Sequence, residues 1–539
     1  MTGKERIQKS FKLEPTDSIP WVPFVGVHGA SLIGVNAIEY LHSSDHLVAG
    51  LAKAVELYQP DGIPVLFDLQ LEAELLGCKL NWSEENPPAV ISHPLLEGVS
   101  LDDLAVPKIG DGRMPVVFEA TRRLREKYPD LALYGLITGP FTLALHLLGT
   151  DIFMKLFEDP DYTEKLFAFC TKVAIQMADY YIDAGCDVIA VVDPMTSQID
   201  PSTFESFVSP PMMDIFNHIR DKGALSSFFV CGHAQQNIGV MCGCKPDNIS
   251  IDENIPLDYV KDIALKHNIS FGGNLQLTVV LLMGTPEDSA FNALDCIDLG
   301  GNKGFILSPG CDLPMATPPE NLIAVTKLVK DPYEQQVFRA MTRKADSLKL
   351  LNMKDYGQSD KVIVDIITLD SESCAPCQYM VEAVKKITPH FEGIVEWHEH
   401  TIKQMEGVTF MASLMVKNIP TICIDGKISF VSQIPPKSEL IAAIQKRINE
   451  KIKLKIQAKK GEFIVFGKDE DEIKLLRTRI ETAFLQTGKN IEVTYFLGPD
   501  KLAEYGLTLM PSIILKKYTL KSQGKVPSVD VITEWLKEI

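Results

Sequence analysis

The stretch "SCAPCQ" places Cys374 and Cys377 at C-x-x-C spacing. It follows an apolar run that reads as a strand and opens a stretch that reads as a helix. A helix N-terminus favours thiolate at the first cysteine, and the spacing lets the sulfurs approach. The chemistry predicted is dithiol–disulfide exchange. A zinc ribbon would need a second C-x-x-C, and the chain has none. A second chemistry-bearing stretch is "FFVCGHAQ", Phe228 to Gln235. Alternate strand residues share a face, so Phe229, Cys231 and His233 are expected to point the same way. Cys231 reads either as a small buried hydrophobe or as half of a metal site.

The elements that must position these residues fall into three blocks. Over residues 1–345, apolar runs such as "GIPVLFDL" (62–69), "CDVIAVVDP" (186–194), "ISFGGNL" (269–275) and "GFILSPGC" (304–311) alternate with amphipathic stretches such as 161–184. Repeated strand–helix units mean a parallel sheet, and at least six in this length predict a (β/α)8 TIM-type barrel. Barrel chemistry collects at the C-terminal strand ends, where Asp68, Asp193, Cys231, Asn274 and Cys311 fall. A polar linker over 346–360 leads to a strand–helix–strand–hairpin–helix pattern over 361–450. Residues 455–539 repeat that outline without cysteine, ending in a helix at "VDVITEWLKEI". Pro420 and Pro511 hold equivalent places, which reads as a duplication. The basic run 446–460 joins the two blocks.

A net charge of −18 argues against nucleic acid and anionic membranes as partners. The charged N-terminus has no signal-peptide core, and no apolar run near 18 residues stands out, so a cytoplasmic location is expected. Eleven cysteines spread along such a chain suggest metal binding, redox chemistry or packing instead of a disulfide framework. Cys242 and Cys244, in "MCGC", read as structural.

The dithiol, with Pro420 opening a later strand, resembles the thioredoxin fold. The last block resembles the same fold without its dithiol, which implies packing or docking. The stretches "YQPDGIPVLFDLQLEAELLGC", "ITGPFTLALHLLG", "DVIAVVDPMTS", "FGGNLQL" and "LSPGCDLPMATPPENL" resemble the uroporphyrinogen decarboxylase superfamily, in its order and over nearly all of residues 1–330. True decarboxylases carry an Arg-rich loop for an acidic tetrapyrrole. The matching stretch "WVPFVGVHGASL" has no Arg or Lys, so uroporphyrinogen decarboxylation is disfavoured.

The other branch comprises zinc-dependent methylcobamide:thiol methyltransferases. Their ligand pattern resembles His-x-Cys at one strand end and Cys in a "PGC" context at another. Here Cys231 and Cys311 match, but Phe229 stands where the family has His. The resemblance therefore implies zinc at Cys231 and Cys311, on adjacent strand ends, with His233 or a carboxylate such as Asp193 or Glu74 as a further ligand. His28, Asp193, Glu74 and Asn274 are the other candidate catalytic residues; Cys374, Cys377 and Pro420 form the redox set. The partners implied are a corrinoid carrier protein, a small thiol acceptor and a redox partner for the dithiol. The alternatives are a thiol–disulfide redox protein with a non-catalytic barrel, or a docking protein.

Overall fold

The computed structural model describes residues 1–343, 350–353, 356–357, 359, 361–372, 374–458, 462–487, 492–505, 507 and 509–516. Seven parallel strands form the first sheet: β1 (Gly62–Pro64), β2 (Ala132–Thr138), β3 (Val188–Val192), β4 (Leu225–Val230), β5 (Asn248–Ile251), β6 (Ser270–Leu275) and β7 (Phe305–Pro309). They pair in sequence order from β1 to β7. Parallel strands covered on both faces become continuous apolar runs, and every residue of β3, "VIAVV", is buried.

The ring closes through a segment outside the named strands. Trp21 bridges Leu307 of β7 in parallel. Val22 N donates to the Leu307 carbonyl (3.0 Å), and Leu307 N donates to the Pro20 carbonyl (2.9 Å). On the other side, Asp61 N donates to the Trp21 carbonyl (2.8 Å), and Trp21 N donates to Asp61 Oδ2 (2.9 Å). The segment around Trp21 thus takes the eighth staves' place, giving the expected TIM-type barrel. Its interior is filled by Phe24, Phe67, Tyr134, Leu136, Phe229 and Ile306, among others.

The helix α1 (Pro140–Leu148) is buried along its whole length. With the following helical segment, Pro140–Glu158 is apolar and long enough by composition to cross a membrane. That corrects the expectation that no such run exists. Here it is interrupted at Gly149–Asp151, and two thirds of it is buried inside the protein. The predicted amphipathic stretch at 161–184 is α2 (Pro160–Asp183).

A second, four-stranded sheet contains β8 (Val362–Thr368), β9 (Val395–Thr401), β10 (Thr421–Ile424) and β11 (Lys427–Val431), in the order β9-β8-β10-β11. The pair β8–β9 is parallel; β8–β10 and β10–β11 are antiparallel. The helix α3 (Ala375–Ile387) begins immediately after Cys374. This sheet belongs with the barrel to one compact unit, Met1–Leu440. The second unit, Ile441–Ile539, contains β12 (Glu462–Gly467), β13 (Glu492–Leu497) and β14 (Ser512–Lys516), in the order β13-β12-β14. The basic run forms the end of α4 (Lys437–Ala458). The expected final helix and most of the 346–360 linker lie outside the described residues.

Packing joins α3 to the barrel. Tyr379 is fully buried in the same apolar cluster as α1, with its Oη 3.3 Å from His146 Nδ1. Gln378 Nε2 donates to the Val90 carbonyl (2.5 Å), and Gln198 Nε2 donates to the Ser432 carbonyl (2.9 Å).

Near the barrel mouth, buried Glu72 accepts from Thr138 N at the end of β2 (3.0 Å). Thr138 Oγ1 lies 2.7 Å from the Leu69 carbonyl and 2.9 Å from Glu72 Oε2. One hydroxyl hydrogen cannot serve both acceptors, so a proton on Glu72 completes the pair. Burial, the larger effect, pushes the Glu72 carboxyl up to about 7. Between its unfolded value of 4.5 and about 7 the folded protein binds the extra proton. Stability from this group therefore falls as pH rises through that window. Urea unfolding at pH 5 and pH 7 should show a smaller pH-dependent loss in Glu72→Gln than in the parent. An unchanged slope would contradict this account.

Candidate active site

A cavity of about 110 Å³ lies at the C-terminal ends of the barrel strands, with the start of α3 forming part of its wall. Cys231 follows β4 and Cys311 follows β7, and their sulfurs are 3.1 Å apart. The sequence reading expected adjacent strand ends; instead β5 and β6 lie between the two strands, and the thiols meet across the mouth of the closed ring. The hydrogen bond that Cys231 donates to Cys311, then burial, push the Cys231 thiol well above its ordinary range.

Phe229 faces the barrel interior, in the apolar cluster against which Cys231 and Cys311 pack. It is buried there, its ring 5.1 Å from Phe24 and 6.0 Å from Phe67. The strand stops at Val230, and Gly232 has φ +84°, a left-handed conformation that glycine adopts without strain. The alternation expected for 229, 231 and 233 therefore holds for Phe229 and Cys231 and breaks at His233. His233 is not among the cavity-lining residues; its Nδ1 is buried without a hydrogen-bond partner.

The turn after β5 brings carboxylates that sequence reading missed. Asp252 Oδ2 accepts from Gly232 N (2.5 Å) and Asn254 Nδ2 (2.7 Å), fixing the Cys231 loop. Glu253 Oε1 accepts from Leu277 N (3.1 Å), while Oε2 is buried and has no partner. Burial, then the neighbouring Asp252 charge, push Glu253 up to about 8. A side chain at Gly310, beside Cys311, would put its Cβ 2.1 Å from Glu253 Oε2 and 3.0 Å from Glu253 N. The glycine in "PGC" is thus what lets this carboxylate sit against the thiol strand. His146 on α1 also lines the cavity, and its Nε2 is buried and unpartnered. Burial holds the imidazole down at about 3, so it is neutral. The signals were present: Glu253 lies in a short polar-alternating strand and turn, and His146 interrupts "TLALHLL".

The other candidates occupy supporting positions outside the cavity lining. Asp193 ends β3 but accepts from Phe141 N (3.1 Å), Thr142 N (2.8 Å) and Thr142 Oγ1 (2.6 Å), so it caps α1. Burial pushes its carboxyl up to about 7. Glu74 accepts from Arg113 Nε (2.8 Å), and Arg113 also grips Asp68 (2.7 Å). His28 is buried with Nε2 2.7 Å from Tyr58 Oη, and burial lowers its pKa to about 4. Asn274 Nδ2 donates to the Asp252 (3.1 Å) and Ile255 (2.9 Å) carbonyls, holding the turn that supplies Glu253.

Cys374, Cys377 and Pro420 line the same cavity as Cys231 and Cys311. The Ile419–Pro420 peptide is cis. The hydrogen bond of the Cys374 thiol to Cys377, then burial, push the Cys374 thiol well up. None of the described residues lining the cavity is Lys or Arg.

Among the described residues, one group of three metal-competent side chains has ligand atoms within 4.8 Å of one another: Asp365, His398 and His400. Here His400 Nε2 is 2.9 Å from Asp365 Oδ1, Tyr356 Oη donates to Asp365 Oδ2 (2.7 Å), and His400 stacks on Phe410. These contacts satisfy a fully buried carboxylate.

A family model described as uroporphyrinogen decarboxylase matches residues 2–332. The methylcobamide:CoM methyltransferase MtbA of Methanosarcina acetivorans is 28% identical over 337 residues, which is 61% of this chain and 98% of that protein. The uroporphyrinogen decarboxylase of Trichodesmium erythraeum is 24% identical over 287 residues, 51% of this chain and 78% of that protein. Among solved structures, a methyltransferase from Methanosarcina mazei superposes with a TM-score of 0.57 at 25% identity, covering 63% of this chain and 100% of that one.

Two substitutions test the packing under the thiols. Phe229→Ala, which empties a fully buried ring position, should cost about 3–5 kcal/mol in urea unfolding. Gly310→Ala should cost about 1–3 kcal/mol by displacing the Glu253 turn. A Gly310→Ala protein as stable as the parent would show that the turn yields freely.

Proposed function

Because this chain belongs to the uroporphyrinogen decarboxylase family, we propose that its barrel, residues 1–345, is a zinc-dependent methyltransferase acting between a protein-bound corrinoid and a small thiol. The observation that carries this reading is the donor set at the mouth. Two thiols 3.1 Å apart share a cavity with Glu253, whose Oε2 is buried and has no hydrogen-bond partner among the described residues. Two sulfurs and one carboxylate oxygen suit zinc and leave a place open for substrate. Glu253, not His233, Asp193 or Glu74, is the third donor we assign. The names of the methyltransferase relatives support the same chemistry. The absence of Lys and Arg from the described lining argues against a polycarboxylate tetrapyrrole.

Zinc bound there supplies a Lewis acid that lowers the pKa of a substrate thiol, making thiolate available to a methyl group on cobalt. The protein's own residues do the rest. Asp252 fixes the Cys231 loop through Gly232 N, and Asn274 anchors the turn bearing Glu253. Gly310 leaves room for that carboxylate against the strand end that carries Cys311. Neutral His146 offers Nε2 to a substrate polar group. Phe67, Leu277 and Leu369 keep much of the wall apolar, which strengthens charge interactions at the thiols. A corrinoid carrier docks at the mouth in this reading.

We read residues 361–450 as a thioredoxin-like, redox-active dithiol module, supported by the strand order β9-β8-β10-β11 and by Cys374 at the start of α3. Residues 455–539 are a second module of that type without cysteine. Phe229, standing where the family has His, favours the alternative of a redox protein with a non-catalytic barrel.

Metal analysis of the full chain separates the two. About one zinc per chain is expected, lost in Cys311→Ala and held at least roughly tenfold more weakly in Glu253→Gln. Methylcobalamin demethylation by a thiol should vanish with chelator and return with zinc. A chain that binds no zinc and demethylates nothing would overturn the proposal.

A further inference from the structure

Two hydrogen-bonded thiol pairs face one cavity. Cys231 and Cys311 come from the barrel strands, with sulfurs 3.1 Å apart. Cys374 and Cys377 come from the start of α3, and these two thiols are also hydrogen-bonded to each other. All four line the same space of about 110 Å³. The contacts of α3 with the barrel are buried and specific, through Tyr379 to His146 and Gln378 to Val90. A dithiol serving a protein in solution would present its attacking sulfur outward. Here Cys377 is fully buried and Cys374 lines the cavity wall.

We infer that the substrate of the Cys374/Cys377 dithiol is this chain's own Cys231/Cys311 pair, kept reduced by intramolecular thiol–disulfide exchange. The inference rests on the reading of Cys231 and Cys311 as the functional thiols of the barrel. Sulfurs at 3.1 Å need to close by only about 1 Å to reach disulfide length. A peroxide-class oxidant takes two electrons and closes that bond, leaving the barrel without thiol donors. Cys374 thiolate then attacks the Cys231 sulfur, and Cys311 leaves as thiolate and takes a proton. Cys377 thiolate attacks Cys374 in the mixed disulfide, and Cys231 leaves and is protonated. One disulfide breaks and one forms, with the two electrons passing from Cys374/Cys377 to Cys231/Cys311. A small dithiol from solution, by two exchange steps in which it becomes a disulfide, returns the Cys374–Cys377 disulfide to thiols. The direction needs no long-range motion, because both pairs already share the cavity.

The test uses the full chain, reduced and then treated with stoichiometric hydrogen peroxide. Disulfides are mapped by mass spectrometry after alkylation. The parent should accumulate Cys374–Cys377 and keep Cys231 and Cys311 alkylatable. Cys374→Ser/Cys377→Ser should accumulate Cys231–Cys311, with oxidation of that pair rising roughly tenfold or more. Cys377→Ser alone should trap a Cys374–Cys231 mixed disulfide, which a small dithiol resolves. A double variant whose Cys231 and Cys311 stay as reduced as in the parent would overturn the inference. So would a Cys377→Ser protein with no mixed disulfide. Zinc content is measured on the same samples before oxidant. Absence of zinc would overturn the proposed methyltransferase chemistry while the disulfide map still decides the exchange; bound zinc with no exchange would overturn only this inference.

Discussion

The backbone of Trp21 bonds to Leu307 on one side and to Asp61 on the other, and that closure turns a seven-stranded parallel sheet into a barrel. An open sheet would hold β4 and β7 three strands apart along a line. A closed ring brings their C-terminal ends toward each other across the mouth. The 3.1 Å approach of Cys231 and Cys311 depends on this geometry. The interior phenylalanines keep the ring from collapsing, so Phe229, Phe24 and Phe67 form a floor on which the thiols rest.

Above that floor the protein tolerates polar atoms that most interiors would satisfy. Glu253 Oε2 and His146 Nε2 are buried without partners, although each unmade hydrogen bond costs on the order of 1–3 kcal/mol. Such cost is expected where a site awaits something to bind. Other buried carboxylates are held by partners: Asp68 and Glu74 accept from Arg113, and Asp193 accepts from the start of α1. The contrast separates positioning groups from groups left available.

Covering the barrel mouth with α3 adds a second constraint. The dithiol is anchored by Tyr379 and Gln378 to barrel elements far away in sequence. Its sulfurs therefore meet the barrel thiols at high effective concentration, without a search through solution. The Gly310 cradle and the Glu72–Thr138 contact are smaller devices with the same effect, each fixing a rim element that the cavity needs.

The sequence determined the barrel, the strands that carry Cys231 and Cys311, the dithiol at the head of a helix and the family resemblance. Long apolar runs and C-x-x-C spacing are local signals, readable without a fold. It did not reveal β5, whose four residues "NISI" alternate too briefly to stand out, nor Trp21 as the closing segment. The positions of His28, Asp193, Glu74 and His233 at element ends looked catalytic because strand ends in barrels often are. Only tertiary structure decided that the first three are held by Tyr58, α1 and Arg113, and that Gly232 turns His233 away from the strand pattern. It likewise decided that Glu253, His146 and both thiol pairs line one cavity. Spacing along a chain fixes which residues share an element; which elements meet depends on closure and packing between residues hundreds of positions apart.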